Sequence, residues 1–256
     1  MKEIKRKSLL YKSEVEYADY CLNHVEGCSH GCKYPCYAYM MKKRCGVIKT
    51  YEEWCQPKIV SNAMELLEKE IPKHKSKIKH VHLCFSTDPF MYKQPQVEAL
   101  SLQIIERLNK DNIKCTVLTK GTYPQALTDT NKYGQANEYG ITLVSLDEGF
   151  RNECEPNTAK FKDRIKALKK LHDNGAKTWV SMEPYPTPNI VSQGLNKLLD
   201  AVGFVDKIVF GRLNYNVKSS QWANHKEYYN DCVASVVRFC KKNGISHHIK
   251  IGTKTN

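Results

Sequence analysis

Short apolar runs alternate with amphipathic stretches along most of this chain. The runs cover residues 80–85, 114–118, 139–146, 177–182, 207–210 and 247–251. They are rich in β-branched residues or bounded by polar turns, so they read as buried strands. Between them, Val97, Leu100, Ile104, Ile105 and Leu108 share one helical face. Phe161, Ile165, Leu168 and Leu171 do the same before Gly175, a C-terminal cap glycine. Leu195, Leu198, Leu199 and Val202 repeat the pattern before Gly203. Cys232, Val233, Val236, Phe239 and Cys240 repeat it before Gly244. Residues 62–70 and 124–131 are weaker helices. A seventh strand is expected near residues 17–22.

Alternating strands and helices imply βαβ units and a parallel sheet. Six or seven units suit an α/β fold built as a partial (β/α)6-type parallel barrel, a single domain over residues 1–256. A doubly wound sheet is the alternative. Each strand ends in polar residues: Ser86, Thr87 and Asp88; Thr119 and Lys120; Ser145 and Asp147; Ser181 and Glu183; Arg212 and Asn214; Thr253 and Lys254. Singly, each reads as a cap or turn former. Together they form a polar ring at the carboxyl ends of the strands, where parallel βα folds carry their active sites.

Composition narrows the classes. No apolar run approaches membrane-spanning length, and the basic start from Met1 to Lys7 lacks the apolar stretch of a signal peptide. A cytoplasmic protein with no membrane partner is expected. The net charge of +13, from 40 basic and 27 acidic residues, raises the odds of a polyanionic partner such as DNA or RNA. On charge alone, a solvated lysine-rich surface accounts for it slightly better. Eleven cysteines, an odd number, argue against a disulfide framework.

Three of those cysteines cluster. Cys28, Cys32 and Cys36 lie within nine residues, with Gly27 and Gly31 to let the loop curl. Zinc would need a fourth ligand, for which His30 or Cys45 is available. An iron–sulfur cluster on three cysteines would leave one iron open. There is no G-x-x-x-x-G-K-[ST] loop, G-x-G-x-x-G fingerprint or G-x-S-x-G elbow. His24, His30, His74 and the pair His247 and His248 lack metal-ligand spacing.

The cysteine loop resembles the cluster loop of radical S-adenosylmethionine enzymes, and the wider chain resembles their spore photoproduct lyase-like branch. The cysteine spacing is C-x3-C-x3-C, where the superfamily has C-x3-C-x2-C; Pro35 reads as the extra residue. The segment Cys84 to Pro89, the pair Thr119 and Lys120, and Ser181 to Pro184 match the branch's strand-end motifs. The resemblance runs from residue 23 to residue 186.

It implies a [4Fe–4S] cluster on Cys28, Cys32 and Cys36, with S-adenosyl-L-methionine (SAM) chelated to the open iron. Reductive cleavage would give a 5′-deoxyadenosyl radical that abstracts hydrogen from a substrate. Ser86, Thr87, Lys120, Ser145, Ser181 and Glu183 would contact the cofactor, with Lys120 on the methionine carboxylate. Cys84 sits where the lyase keeps its hydrogen-atom donor, and Tyr34 and Tyr37 stand near the tyrosines that relay that hydrogen. If the strand runs through Ser86, period-two alternation turns Cys84 and Ser86 to the same side. The resemblance further implies an electron donor such as a flavodoxin or ferredoxin, and a nucleic-acid base as substrate. The rival is a non-catalytic nucleic-acid-binding protein with a structural zinc or iron–sulfur site. A partner protein that uses the barrel as a scaffold is the third reading.

Overall fold

A computed structural model describes residues 1–13, 18–134 and 136–255. The strands in chain order are β1 (Lys2–Ile4), β2 (Leu10–Lys12), β3 (Tyr20–Leu22), β4 (Val25–Glu26), β5 (Lys58–Val60) and β6 (His80–Leu83). They continue with β7 (Lys114–Thr119), β8 (Glu138–Thr142), β9 (Lys177–Tyr185), β10 (Lys207–Arg212) and β11 (Ser246–Ile249). The helices are α1 (Tyr37–Arg44), α2 (Tyr51–Trp54), α3 (Ala63–His74), α4 (Pro95–Asn109), α5 (Thr130–Tyr133), α6 (Glu148–Cys154), α7 (Phe161–Asp173), α8 (Leu195–Ala201), α9 (Val217–Ser220) and α10 (His225–Asn243). No described helix is long and apolar enough to cross a membrane.

All six apolar runs contain strands, although the runs 80–85, 139–146 and 247–251 leave the strand after Leu83, Thr142 and Ile249, and the long helices lie where the periodicity puts them. The seventh strand is β3; residue 17, where it was expected to begin, lies outside the described residues. The stretch 124–131 is not one helix but a 3-10 turn, Gln125–Thr128, followed by the single turn α5. Asp129 divides them, and its side chain accepts from the backbone N–H groups of Asn131 and Lys132. Such local capping competes with a continuous helix.

Eight strands form one sheet in the order β11-β10-β9-β8-β7-β6-β3-β2. All neighbours are parallel except β2, which runs antiparallel to β3. From β3 to β11 the order follows the chain without a reversal. A doubly wound sheet reverses at a switch point, so that alternative falls, and the fold is a partial (β/α) barrel. A second sheet, β1-β5-β4, carries the chain into the cysteine loop.

Alternation fixes what faces inward. Val81 and Leu83, Cys115 and Val117, and Val180 and Met182 are buried towards the helices. On the other face lie His82, Leu118, Thr142 and Ser181, which line an interior cavity. Trp179, two residues below Ser181, lies across Gly140 of the neighbouring strand. A Cβ on Gly140 would come within 2.3 Å of the indole ring, so only glycine admits that ring. Lys207 caps the floor, its Nζ 5.4 Å from the centre of the Trp179 ring and 3.1 Å from Glu138 Oε2.

Candidate active site

The cysteine loop is pinned by backbone contacts on all sides. Gly27 has φ +86°, and a Cβ there would stand 2.7 Å from the Trp54 carbonyl oxygen. The next residue, Cys28, donates its N–H to that same oxygen at 2.8 Å. Lys33 N–H donates to the Cys154 carbonyl at 2.8 Å, Asn157 N–H to that of His30 at 3.2 Å, and the Tyr51 hydroxyl to that of Cys32 at 2.6 Å. Cys36 is the N-cap of α1 and makes no side-chain cap bond. The extra residue Pro35 is thus absorbed in the loop before the helix starts.

The loop walls a cavity of about 460 Å³ at the carboxyl ends of the strands. Cys32 and Cys36 line it; Cys28 lies behind them against Val25, Met91 and Val97. Burial pushes the Cys28 thiol well up, with Asp88, Cys32 and Cys36 adding to it. Burial likewise raises Cys32, to about 12, although Lys120 pulls the other way. The three sulfurs therefore sit within electrostatic reach of one another, and all are free thiols. Among the described residues, no three His, Cys, Asp or Glu side chains converge as on a single metal ion.

His30 is committed elsewhere. Its Nε2 accepts the Tyr92 N–H at 3.0 Å, which leaves the proton on Nδ1, 3.5 Å from Asp88 Oδ2. Both nitrogens are taken, so His30 is no fourth zinc ligand. Cys45 is exposed at the far end of α1. Three clustered thiols without a fourth protein ligand fit a cluster with an open iron better than structural zinc.

Asp88 ties the loop to the barrel. Besides facing His30, its carboxylate accepts from Phe90 N–H at 2.9 Å, Thr119 Oγ1 at 2.7 Å and Lys120 N–H at 2.8 Å. Read from sequence as a strand-end residue, it is buried and satisfied on every side. Lys120, held by that bond, sends its ammonium to Glu155 Oε1 at 3.2 Å and over the Tyr34 ring at 5.3 Å. Glu155 is fully buried. Its other oxygen accepts from Arg164 Nη2 at 2.6 Å, and the Tyr34 hydroxyl donates to Oε1. Burial alone would raise this carboxyl; Lys120 and Arg164 overcome that and hold it at about 2. Arg164 also donates to Ala159 O, Thr142 O and Thr158 Oγ1.

The cavity brings together Cys32, Cys36, Tyr34, Tyr37, Cys84, Thr87, Lys120, Ser181 and Glu183. It does not bring in Ser86 or Ser145. Strand β6 stops at Leu83, and Cys84 has φ +60°, so alternation does not carry through to Ser86. Ser86 turns back instead, with both its N–H and its hydroxyl on Asn23 Oδ1. Ser145 is fully buried and accepts the Asp147 N–H at 3.0 Å. Thr87 reaches the Gly27 carbonyl. Tyr37 stands at the rim, 48 % exposed, its hydroxyl on Met41 Sδ at 3.5 Å. On the far wall Glu183 faces Lys250 at 3.8 Å, and Arg212 bonds Asn214 at 2.9 Å. Sequence reasoning missed Glu155, Arg164 and His82. Glu155 and Arg164 lie off the strand ends, and no local motif marks a charge that is paired only in three dimensions; His82 lies inside the apolar run that becomes β6.

The family model described as the radical SAM superfamily matches residues 22–202. The chain belongs to the radical SAM superfamily. That family uses a [4Fe–4S] cluster and SAM. Two curated relatives of this radical SAM protein are themselves uncharacterised. One, from Methanocaldococcus jannaschii, is 26% identical over 183 residues, covering 71% of this chain and 66% of its own. The other, from Acidianus two-tailed virus, is 24% identical over 192 residues, covering 72% and 61%. The chain thus matches under two thirds of either relative's length. Among solved structures, spore photoproduct lyase with dinucleoside spore photoproduct superposes with a TM-score of 0.69 at 15% identity, over 96% of this chain and 80% of that one. A mutant of that lyase with bound AdoMet and the same dinucleoside gives 0.70 at 14% identity, with the same coverage. SuiB of Streptococcus suis bound to S-adenosylmethionine gives 0.52 at 12% identity, over 72% and 41%. These likenesses concern the fold.

Proposed function

We propose that this radical SAM protein is an enzyme whose substrate is a nucleic-acid base or a closely related nucleotide. The observation that carries the catalytic part is the shared cavity. Two of the three loop thiols stand at one end of it, and Cys84, Lys120, Ser181 and Glu183 line the rest. When bound, the cluster and SAM supply one-electron reductive cleavage of the sulfonium and, through it, hydrogen-atom abstraction. The protein's own task is to bind, orient and exclude water.

Cys28, Cys32 and Cys36 would hold the cluster as thiolates; burial keeps Cys28 and Cys32 protonated without it, so loading would release protons. Lys120 takes the methionine carboxylate. Glu155 already has Arg164 as a partner, so the Lys120 ammonium can turn a second N–H to a ligand without leaving that carboxylate unpaired. Ser181 and Glu183 offer a hydroxyl and acceptor oxygens to a ribose. Arg212 and Lys250, across the cavity, offer charge to a phosphate. Cys84 is the hydrogen-atom donor to a substrate radical. The nucleic-acid reading is supported by the +13 charge and by the fold shared with a lyase whose structures hold a dinucleoside spore photoproduct. An acidic electron carrier of the flavodoxin or ferredoxin kind is the expected reductant.

The test is anaerobic reconstitution with iron and sulfide, followed by SAM and a reductant. The expected outcome is brown protein with about four irons per chain and formation of 5′-deoxyadenosine. A colourless zinc protein that forms none would support the binding-protein reading instead. A substrate screen against damaged and undamaged oligonucleotides then tests the substrate class. Cys84→Ala is expected to keep SAM cleavage and lose or divert the product.

A further inference from the structure

Two exposed aromatic rings stand at the rim of the cavity. Tyr37 comes from the end of the cysteine loop, at the start of α1, and Tyr215 from the turn between β10 and α9; both line the cavity. Tyr215 is 69 % exposed and has φ +59°. A bulky side chain rarely takes that left-handed conformation, which glycine adopts freely. Packing of the ring does not offset the strain, because the ring lies mostly in solvent. The turn is nevertheless fixed on both sides. Leu213 N–H donates to the Tyr185 carbonyl at 3.0 Å, and Arg212 Nε donates to Asn214 Oδ1 at 2.9 Å. Asn216 Oδ1 caps α9 by accepting the Ser219 N–H at 3.0 Å. The fold thus holds a large apolar ring out at the rim against its backbone preference. Strained positions of this kind cluster at active sites and ligand clamps.

Tyr37 is also held in place, its ring edge-on to Phe85 with centroids 5.8 Å apart. Apolar side chains extend both positions outwards. Met40 follows Tyr37 by one turn of α1, Val217 follows Tyr215 by two residues, and both are exposed. Cations share the rim: Arg212 and Lys250 line the same cavity. From this arrangement we propose that the rim is a seat for an unpaired nucleic-acid strand. Tyr215 and Tyr37 stack on the bases that flank the one in the cavity, and Arg212 and Lys250 pair with the phosphates between them. Exposed rings beside cations are the combination that takes a single strand, since bases stack on the rings while phosphates meet the charges. A duplex keeps its base faces inside its own stack. It can use the cations and not the rings. Every base has a π-face, so the seat selects strand form and tolerates sequence. This inference rests on the nucleic-acid reading above and adds the form in which the strand is bound.

The test is fluorescence anisotropy on the full chain without SAM, so its outcome does not depend on radical chemistry. The probes are a labelled oligothymidylate and the same strand annealed to its complement. The single strand is expected to bind about tenfold or more tightly than the duplex. Tyr215→Ala should weaken single-strand binding by about tenfold or more and leave the duplex unchanged, while Tyr215→Phe keeps the native affinity. A strand that carries 2-aminopurine should lose fluorescence on binding, as stacked bases do, and Tyr215→Ala should abolish that loss. Tyr215→Gly should bind as weakly as Tyr215→Ala without lowering the melting temperature, because glycine accepts the backbone conformation. Equal affinity for the two strand forms, or single-strand binding that Tyr215→Ala leaves unmoved, overturns the proposal. So does a melting temperature that falls in Tyr215→Gly, which would make the ring part of the scaffold. Self-association of the chain that Tyr215→Ala abolishes would assign the rim to a second copy instead. If neither strand form binds, the nucleic-acid reading falls and the seat with it; if both bind equally, only the seat falls.

Discussion

Two buried polar assemblies flank the cavity, and they solve one problem in opposite ways. Behind the cysteine loop, Glu155, Arg164 and Lys120 are charged and paired, with every short contact between opposite charges. Behind Cys84, the groups of His24 and Ser101 are neutral and linked by a hydrogen bond. Burial makes an unpaired charge intolerable, so each site takes either full pairing or neutrality. The charged assembly leaves a cation at the cavity wall for a carboxylate. The neutral one leaves a thiol with its proton, which hydrogen-atom transfer requires.

The sharpest way to break the comparison is Glu155→Gln. It leaves the fully buried Arg164 without its counter-charge, and the expected loss is about 3–5 kcal/mol in denaturant unfolding. A loss under about 1 kcal/mol would mean that the charged assembly is no tighter than a surface pair. Cys84→Ala removes the buried thiol that stands against the His24 ring; about 0.5–3 kcal/mol should be lost.

Acid titration separates the two assemblies by pH. His24 and His82 are held neutral in the fold, at about 3 and about 4, both by burial. The unfolded chain takes up their protons below pH 6.5, so stability should begin to fall there. Each such histidine contributes a slope of about 1.4 kcal/mol per pH unit. His24→Gln should reduce the slope between pH 6.5 and 4.5 by one proton. Glu155, whose carboxyl is depressed, stabilises above its unfolded value of 4.5, and that stability is lost as pH falls towards 2. Only below pH 4.5 should Glu155→Gln change the slope. A smaller effect on stability belongs to Lys120→Gln. Because Arg164 still pairs with Glu155, unfolding should change by less than in Glu155→Gln, below about 3 kcal/mol. SAM binding, by contrast, should weaken by about tenfold or more in equilibrium dialysis.

Much was legible in the chain alone. The apolar runs and their period fixed β6 to β11 because a strand buried on both faces has few sequences open to it. The cysteine loop pointed to a metal centre because its three thiols are close in sequence. The polar strand ends marked the carboxyl side of the barrel. Other features depend on approaches between distant parts of the chain. Alternation misplaced Ser86 because β6 stops at Leu83 and Cys84 turns to positive φ. Glu155 meets Tyr34 from 121 residues away and Cys84 meets His24 from 60. The sequence by itself determined the succession of strands and helices and the three-thiol loop, since both follow from residue type and short spacing; the sheet order that rules out a doubly wound sheet took the tertiary structure. Only the tertiary structure decided which buried polar groups are charged and which are neutral. Ionisation in a buried site depends on partners and desolvation, and the fold alone brings those together.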